Sequence, residues 1–250
     1  MINIKRKNGG FTSLYRVELP NYNKIIKIYD KKAFTRLFRT NLNNYKPFYE
    51  SLNKIKISPN HKVLSEHIVE IDEIENGRQI NKKKLFSDEK KIKKLRDKIN
   101  LIQKINKSTL KKDLISEVKN YLNYKETPKI IKKNIKNLEK YIKIYPQDKI
   151  CHGDIHFGNI ITTKENLYLL DWDYCLISCT GYEIAMLSYL EKLNQKQIKT
   201  LSKIFGVSIT EIKHYLPICI LLDYLYQSAL LKNINEKLLD KIKKFIEDIL

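Results

Sequence analysis

Three oxygen-bearing side chains, Asp154, Asn159 and Asp171, lie close together in the stretch from Cys151 to Tyr174. An amide oxygen and a carboxylate are hard ligands that suit Mg²⁺, which keeps waters and takes its remaining oxygens from substrate phosphates. A further carboxylate beside such an ion is a candidate general base. The sequence therefore predicts that Asn159 and Asp171 bind magnesium and that Asp154 is the catalytic residue.

A β-hairpin is predicted to bring the two magnesium ligands together. The β-prone runs Ile160–Thr163 and Leu167–Leu170 are separated by three polar residues, a pattern typical of a hairpin. If Glu165 is the tip, Asn159 and Asp171 are opposite each other across the ladder, roughly 5 Å apart.

Each of these residues alone is compatible with a structural role, in which Asp and Asn cap the turns of a buried hairpin. The joint pattern is more specific. His-Gly-Asp-x-His-x-Gly-Asn is followed twelve residues later by an Asp that ends an apolar strand. This long signature and its predicted strand and loop context favour the functional interpretation.

The composition limits the class of protein. A chain of 250 residues suits one two-lobed unit or two small domains with a substantial core. Its 48 Lys and Arg against 28 Asp and Glu give a net charge of +20, which can attract nucleic acid, anionic lipid or polyphosphate. Because the lysines are spread along the chain, compositional bias is the preferred explanation, and nucleic acid is not an expected partner.

Cysteine spacing and hydropathy favour a cytoplasmic protein without a membrane span. The four cysteines form no Cys-x-x-Cys pair and have no zinc-like spacing, as expected of reduced thiols. The N-terminus lacks the apolar region of a signal peptide. The most apolar later run, Leu216–Leu231, is interrupted by Asp223 and Gln227, which favours a core helix.

The N-terminal region has residues that suit a nucleotide. A strand, a tight turn and a second strand are predicted between Asn8 and Tyr29. Two glycines followed by hydroxyl residues let backbone amides approach a phosphate, and a lysine on the second strand can reach it as a point charge. A surface hairpin is the alternative interpretation. The predicted nucleotide-binding residues here are Gly9, Gly10, Thr12, Ser13 and Lys27.

Two later segments extend this prediction. One or two helices are expected within Lys31–Lys54, and Glu50 on them is the acid expected to pair with Lys27. A solvated glutamate is the alternative for Glu50. Further strands are predicted up to residue 74, where Asp72, Glu73 and Ile74 form a connector whose backbone can contact an adenine edge.

Helices dominate the rest of the chain. Apolar residues recur at three- and four-residue spacing, which predicts amphipathic helices, and prolines separate some of them. The predicted helical regions are 82–106, 110–144 with a break at Pro128, 181–193, 197–205, 210–231 and 236–250.

Taken in order, Gly-Gly-Phe-Thr-Ser, Lys27, Glu50, His152 to Asn159 and Asp171-Trp-Asp-Tyr resemble the aminoglycoside phosphotransferase and choline kinase superfamily. The resemblance implies an α+β, protein-kinase-like two-lobed fold. A small β-rich N-terminal lobe, residues 1–76, would bind the nucleotide. A larger, mostly helical lobe, residues 77–250, would carry the catalytic loop and the acceptor pocket.

By the same resemblance, ATP is the phosphate donor and Mg²⁺ the metal. Asp154 matches the catalytic aspartate, Asn159 and Asp171 match the metal ligands, and Lys27 matches the lysine that holds the α- and β-phosphates. Glu50 would orient that lysine, although the interval of 23 residues between them is longer than usual in the family. Ser13 and Cys179 depart from the residues that relatives often carry, and Cys179 concerns the acceptor side.

The acceptor is expected to be a small molecule. Only eleven residues lie between Asp171 and Glu183, too few for the activation segment on which protein kinases dock peptides, and His156 replaces their usual lysine. Carboxylates and aromatic rings near the expected pocket suit a cationic alcohol, with choline or ethanolamine preferred. The predicted acceptor-binding residues are Asp173, Tyr174, Tyr182, Asp223, Tyr224 and Tyr226.

Alternatives remain open at this level. Each acceptor-side residue can equally be ordinary core or helix-cap chemistry. Thiamine and aminoglycosides are other candidate acceptors. A basic nucleic-acid-binding protein and an inactive kinase-like scaffold are rivals of another class, and the intact Asp154, Asn159 and Asp171 argue against the scaffold. The sequence does not indicate the oligomeric state.

Overall fold

The computed structural model describes residues 3–8, 12–18, 20, 22–30, 42–230 and 234–250. Among these residues a small antiparallel sheet precedes a mostly helical body, as the predicted α+β fold requires. The strands of the small sheet are β1 Asn3–Asn8, β2 Thr12–Glu18, β3 Asn23–Tyr29, β4 His61–Ser65 and β5 Ile68–Asp72, arranged in the order β1-β2-β3-β5-β4.

Lys27 lies on the central strand of this sheet. It is opposite Leu14 of β2 and Val69 of β5, so its position is fixed from both sides. A 3₁₀ turn, Leu42–Tyr45, and helix α1, Lys46–Ile55, connect β3 to β4. The predicted helical region at 31–54 is confirmed from residue 42 onward, and residues 31–41 lie outside the described part of the chain.

The hairpin after the predicted catalytic loop, residues 152–159, is confirmed, but its predicted register is wrong by one residue. Strands β8, Ile160–Thr162, and β9, Leu167–Leu169, pair Ile160 with Leu169. The loop between them has four residues, 163–166, closed by a hydrogen bond from the Thr163 amide to the Asn166 carbonyl of 2.9 Å. Asn159 therefore faces Leu170, whose amide donates to it at 2.9 Å.

Asp171 lies just beyond this ladder and turns away from it. Its φ is +62°, a left-handed backbone conformation that aspartate, like asparagine and histidine, adopts more often than most non-glycine residues.

The helices of the larger lobe are shorter and more numerous than predicted between residues 82 and 144. Asp88 accepts a hydrogen bond from the Lys90 amide and so caps the helix that begins at Glu89, which separates that helix from the one before it. Asp113 caps the helix that begins at Leu114 by accepting from the Ser116 amide. The helices are α2 Lys82–Phe86, α3 Glu89–Ile102, α4 Leu114–Asn120, α5 Lys129–Lys133 and α6 Ile135–Ile142.

The four C-terminal helices agree with the prediction to within a few residues. They are α7 Thr180–Leu190, α8 Gln195–Phe205, α9 Ile209–Leu230 and α10 Glu236–Asp248. Helix α7 packs along α9. Within the described residues no single helix is long and apolar enough to cross a membrane, and α8 with residues 209–229 meets that test only as a pair bent by 117°.

Short strands outside the small sheet connect the two lobes and frame the catalytic loop. Strand β6, Arg78–Gln79, pairs with β8, so the chain enters the larger lobe soon after Ile74. Strand β7, Lys149–Cys151, pairs with β10, Leu176–Ser178, an element that the sequence did not predict. The division into lobes at residues 76 and 77 stays a prediction.

Candidate active site

The catalytic loop begins at a sharp turn that requires glycine. Gly153 has a φ of +77°, and a Cβ there would lie 2.1 Å from the Tyr174 carbonyl oxygen. The neighbouring His152 is fully buried, and its Nε2 is 2.7 Å from the Leu170 carbonyl. Burial lowers the pKa of His152 to about 4. A neutral imidazole therefore ties the loop to the end of β9, immediately before Asp171.

Asp154 and Asn159 are in direct contact. The Asn159 Nδ2 donates to the Asp154 carbonyl at 3.0 Å and to its carboxylate Oδ2 at 3.3 Å, so the amide oxygen of Asn159 is the atom left for a metal. Burial, and then the nearby Asp171 carboxylate, raise the pKa of Asp154 to about 7. His156 accepts a hydrogen bond from the Gly158 amide at 3.0 Å, which is a structural cap.

Two glutamates that the sequence analysis did not identify accept hydrogen bonds from backbone amides of the catalytic loop. Glu183 Oε2 accepts a hydrogen bond from the Gly153 amide at 3.4 Å, and Glu191 Oε1 accepts one from the Phe157 amide at 2.6 Å. Glu183 is fully buried, and burial raises its pKa to about 7. The sequence did contain a signal for Glu183, which is an acid in the first turn of the nearly all-apolar helix α7. A carboxyl group buried there needs hydrogen-bond donors, and backbone amides can supply them.

Lys27 is buried between two aspartates. Its Nζ is 2.8 Å from Asp171 Oδ1 and 2.7 Å from Asp173 Oδ2, and Tyr29 Oη donates to Asp173 Oδ1 at 2.7 Å. Burial disfavours the ammonium, but the two carboxylates outweigh it and raise the pKa of Lys27. Burial also disfavours the Asp171 carboxylate, yet Lys27 lowers its pKa, whereas burial and Asp171 raise the pKa of Asp173 to about 6.

The predicted pairing of Lys27 with Glu50 is wrong. Helix α1 turns Phe48, Tyr49 and Leu52 toward the core, so Glu50, one position after Tyr49, is exposed. Asp173 takes the place expected for Glu50 at the lysine.

Asp173 consequently lies in the part of the site predicted to bind the nucleotide, and it does not line the cavity predicted to bind the acceptor. Residues 171 to 174 alternate in direction. Asp171 and Asp173 face Lys27, while Trp172 between them is buried and donates to Ser58 Oγ at 2.9 Å. Tyr174 turns toward a second cavity.

The predicted nucleotide site, called the nucleotide cleft below, lies in a cavity of about 630 Å³ between the small sheet and the β8–β9 hairpin. Apolar side chains such as Leu14, Ile25 and Ile161 form its walls, as a stacked base requires. Of the residues predicted to bind nucleotide, those that line it are Thr12, Lys27, Asp72, Glu73 and Ile74, together with the predicted metal ligands Asn159 and Asp171.

The other nucleotide-side predictions have different outcomes. Ser13 alternates with Thr12 and Leu14 along β2, so its side chain is on the opposite face of the strand. Gly9 and Gly10 lie outside the described residues. The Glu73 carboxylate accepts from Arg16 Nε at 2.8 and 2.9 Å. The amides of Asp72 and Glu73 donate to the carbonyls of Asn60 and Asn23, so these two amides are not available to a base.

A second cavity of about 250 Å³ begins at Asp154. Four of the six predicted acceptor-binding residues line it: Tyr174, Tyr182, Asp223 and Tyr226. Cys219, Leu222, Asp223 and Tyr226 recur at helical spacing on one side of α9, and this stripe faces the cavity. The other lining residues are Glu117, Tyr121, Gly153, Met186 and Leu190.

Tyr224 is wrongly predicted as an acceptor-binding residue. It follows Asp223 on α9 by one position, so it lies about 100° around the helix and is buried in the core. The Asp223 carboxylate itself accepts hydrogen bonds from Tyr189 Oη and from Gln227 Nε2.

A small sheet over a helical lobe, with a lysine, an asparagine and aspartates meeting in the cleft, defines a kinase-like phosphotransferase. The sequence matches the model of the choline/ethanolamine kinase family over residues 50–194, more than half of its 250 residues. The chain belongs to this family and is an ATP-dependent small-molecule kinase. No curated protein matches the sequence significantly.

Solved structures of low sequence identity have the same fold. Choline kinase LicA from Streptococcus pneumoniae is 18% identical, with a TM-score of 0.75 and coverage of 99% of this chain and 92% of LicA. LicA has also been solved with AMP. An ethanolamine kinase from Plasmodium vivax is 15% identical, with a TM-score of 0.72 and coverage of 99% and 82%. Choline kinase from Cryptosporidium parvum is 13% identical, with a TM-score of 0.69 and coverage of 100% and 91%.

Proposed function

We propose that this kinase transfers the γ-phosphate of ATP to the hydroxyl of a small cationic alcohol, with choline or ethanolamine as the preferred acceptor. One observation carries the proposal. Asp154 lines a cavity that also contains Tyr174, Tyr226 and Asp223, while its hydrogen-bond partner Asn159 lines the nucleotide cleft. The two cavities are therefore adjacent across the contact between Asp154, the residue proposed as the catalytic base, and Asn159.

The acceptor cavity favours a small cation on grounds of size and chemistry. Its volume of about 250 Å³ is below the roughly 300–1,000 Å³ of sites for drug-sized ligands, which disfavours an aminoglycoside. Each tyrosine ring in contact with a cation contributes roughly 0.5–2 kcal/mol. Tyr174 and Tyr226 pack edge to face with ring centroids 5.9 Å apart, as neighbouring walls of one pocket.

The donor set fits a magnesium ion. Asn159 and Asp171 would hold it through an amide oxygen and a carboxylate, which are oxygen ligands of the kind that Mg²⁺ prefers. The side chain of Asp171 is 42% exposed toward the cleft and already attracts a cation, the Lys27 ammonium. When bound, the ion would neutralise phosphate oxygens during transfer.

Side chains of this protein bind the phosphates, orient the acceptor hydroxyl and position the loop that carries Asp154. Lys27, oriented by Asp173, donates to the phosphates of the nucleotide. Asp154 accepts the hydroxyl proton of the acceptor or orients that hydroxyl, since phosphoryl transfer depends mainly on positioning and on charge neutralisation. The buried Glu183 and the partly buried Glu191 fix the backbone of the loop that carries Asp154.

The test is an ADP-release assay of the purified protein with Mg·ATP. Choline, ethanolamine, thiamine, an amino sugar, an aminoglycoside and a neutral sugar are compared at equal concentration. We expect the highest kcat/KM for choline or ethanolamine, and no turnover by the Asp154→Ala variant. Turnover confined to the neutral sugar or the aminoglycoside would contradict the proposed acceptor and leave the kinase assignment intact.

A further inference from the structure

A buried ion pair stands at the wall of the acceptor cavity. Lys112 Nζ is 3.0 Å from Glu117 Oε2, and the two side chains are only 9% and 6% exposed. The separation makes this a close ion pair even though the ammonium is not aligned as a hydrogen-bond donor. Glu117 lines the cavity, whereas Lys112 contacts Glu117 from outside that lining.

The position of Glu117 is fixed by the start of helix α4. Asp113 and Ser116 form a reciprocal cap at this end of the helix, and the Ile177 amide donates to the Lys112 carbonyl at 2.7 Å, which ties the segment to β10. Tyr121 Oη lies 3.4 Å from Glu117 Oε1. The carboxylate is therefore held in place before any acceptor binds.

The negative end of the ion pair is nearer to the cavity than the positive end. The carboxylate faces the cavity, and the ammonium lies behind it, with Nζ 5.6 Å from the centre of the Tyr174 ring. A cation in the cavity is closer to the negative end of the pair than to the positive end, so it is attracted. Because both charges are desolvated, this field is screened less than that of a surface pair.

Among the described residues that line the cavity, Asp223 is the carboxylate other than Asp154 and Glu117 that can contact a cation. Its two oxygens already accept hydrogen bonds from Tyr189 and Gln227. Among the described residues, Glu117 has its ion pair with Lys112 and two long contacts, 3.4 Å to Tyr121 Oη and 3.5 Å to Asn120 Nδ2. Neutral donors therefore approach Glu117 less closely than they approach Asp223.

We infer that Glu117, held by Lys112, determines the selectivity of this kinase for a positively charged acceptor over a neutral one of the same shape. The inference rests on the proposed function, which it deepens. The tyrosine rings and apolar side chains recognise the bulk of the acceptor head group, and Glu117 recognises its charge. If the ion pair had only a structural role, its loss would lower kcat/KM equally for charged and neutral acceptors.

The test compares choline with 3,3-dimethyl-1-butanol, in which a carbon replaces the quaternary nitrogen. The kcat/KM for both acceptors and their affinities by isothermal titration calorimetry are measured for the wild type, Glu117→Gln and the double variant Lys112→Met/Glu117→Gln. The double variant leaves no buried charge unpaired, which protects folding. Glu139→Gln is the matched control, because Glu139 pairs with Lys119 and Lys143 away from the cavity.

We expect both Glu117 variants to lose at least about tenfold in the ratio of choline to the neutral alcohol, since truncating one partner of a desolvated charge contact typically costs more than this. The Glu139 control should keep the wild-type ratio. An unchanged ratio in the double variant, or an equal loss for both acceptors, would overturn the inference. Failure of the wild type to bind or phosphorylate any cationic alcohol would instead contradict the proposed function, and the inference with it.

Discussion

Replacing Asp173 by Asn tests the assignment of this residue to the nucleotide side. Asp173 holds Lys27 at 2.7 Å and accepts from Tyr29 at 2.7 Å. Removing one partner of a buried ion pair typically costs about 3–5 kcal/mol. Lys27 keeps Asp171 at 2.8 Å, and an asparagine oxygen can still accept from Tyr29. We therefore expect a smaller loss of unfolding free energy, about 1–3 kcal/mol.

The kinetic effect should separate donor from acceptor. A less constrained Lys27 positions the phosphates poorly, so the KM for ATP should rise roughly tenfold, equivalent to about 1.4 kcal/mol. The KM for the acceptor should change little, because Asp173 does not line that cavity. Both constants come from steady-state assays in which one substrate is varied at saturation of the other.

Glu50→Gln is the matched control for this experiment. It removes a carboxylate from the helix that the sequence associates with Lys27, but the residue is exposed. We expect wild-type stability and wild-type KM for ATP. The reasoning fails if Glu50→Gln reproduces the Asp173→Asn phenotype, or if Asp173→Asn raises only the KM for the acceptor.

Three further predictions concern the catalytic loop. Asp154→Ala should retain nucleotide affinity by calorimetry and lose at least roughly 100-fold in kcat; a smaller loss would remove Asp154 from the role of base. Gly153→Ala should lower the unfolding free energy in urea by more than about 2 kcal/mol, whereas Gly206→Ala, with a φ of +68° and open space around its Cβ, should cost only the backbone strain; equal losses would contradict the clash with Tyr174. The pKa of Glu183 is raised to about 7 in the folded state, so the unfolding free energy of the wild type should fall relative to that of Glu183→Gln as pH rises from about 4.5 to 7, and the difference should stay constant above pH 7. Parallel curves of unfolding free energy against pH would show that the carboxyl is not buried in its uncharged form.

The sequence was sufficient for the parts of the site that are local in the chain. Asp154 and Asn159 are joined by one loop, and a short hairpin brings Asp171 to the same place, so the motif predicted their proximity. The register error changed the facing residue to Leu170 but not this neighbourhood. The register depends on the length of the hairpin loop, and the sequence did not distinguish a loop of four residues from one with an odd number. The hydrogen bond between Thr163 and Asn166 that closes the four-residue loop depends on backbone geometry.

Contacts between residues far apart in the chain could not be predicted from the sequence. Lys27 and Asp173 are 146 positions apart, and their pairing depends on how the two lobes meet. Glu117 lies in a lysine-rich helical region where a surface ion pair is the ordinary expectation, and only the anchoring of its segment to β10 brings it to the cavity. The error at Tyr224 could not be avoided from periodicity, because α9 is apolar on nearly all sides and a tyrosine that faces a cavity then looks the same in sequence as one buried in the core.

The four residues 171–174 show how one short segment can serve both substrates. Their alternating direction sends two aspartates to the lysine in the nucleotide cleft and Tyr174 to the acceptor cavity. Trp172 is the fixed point between them, since it is buried, packs edge to face on Phe48 with centroids 5.9 Å apart and donates to Ser58. Any displacement of this tryptophan would move the donor-side and acceptor-side groups together. The packing of Trp172 against Phe48 and Ser58 thus couples the position of the aspartates at Lys27 to that of Tyr174 in the second cavity.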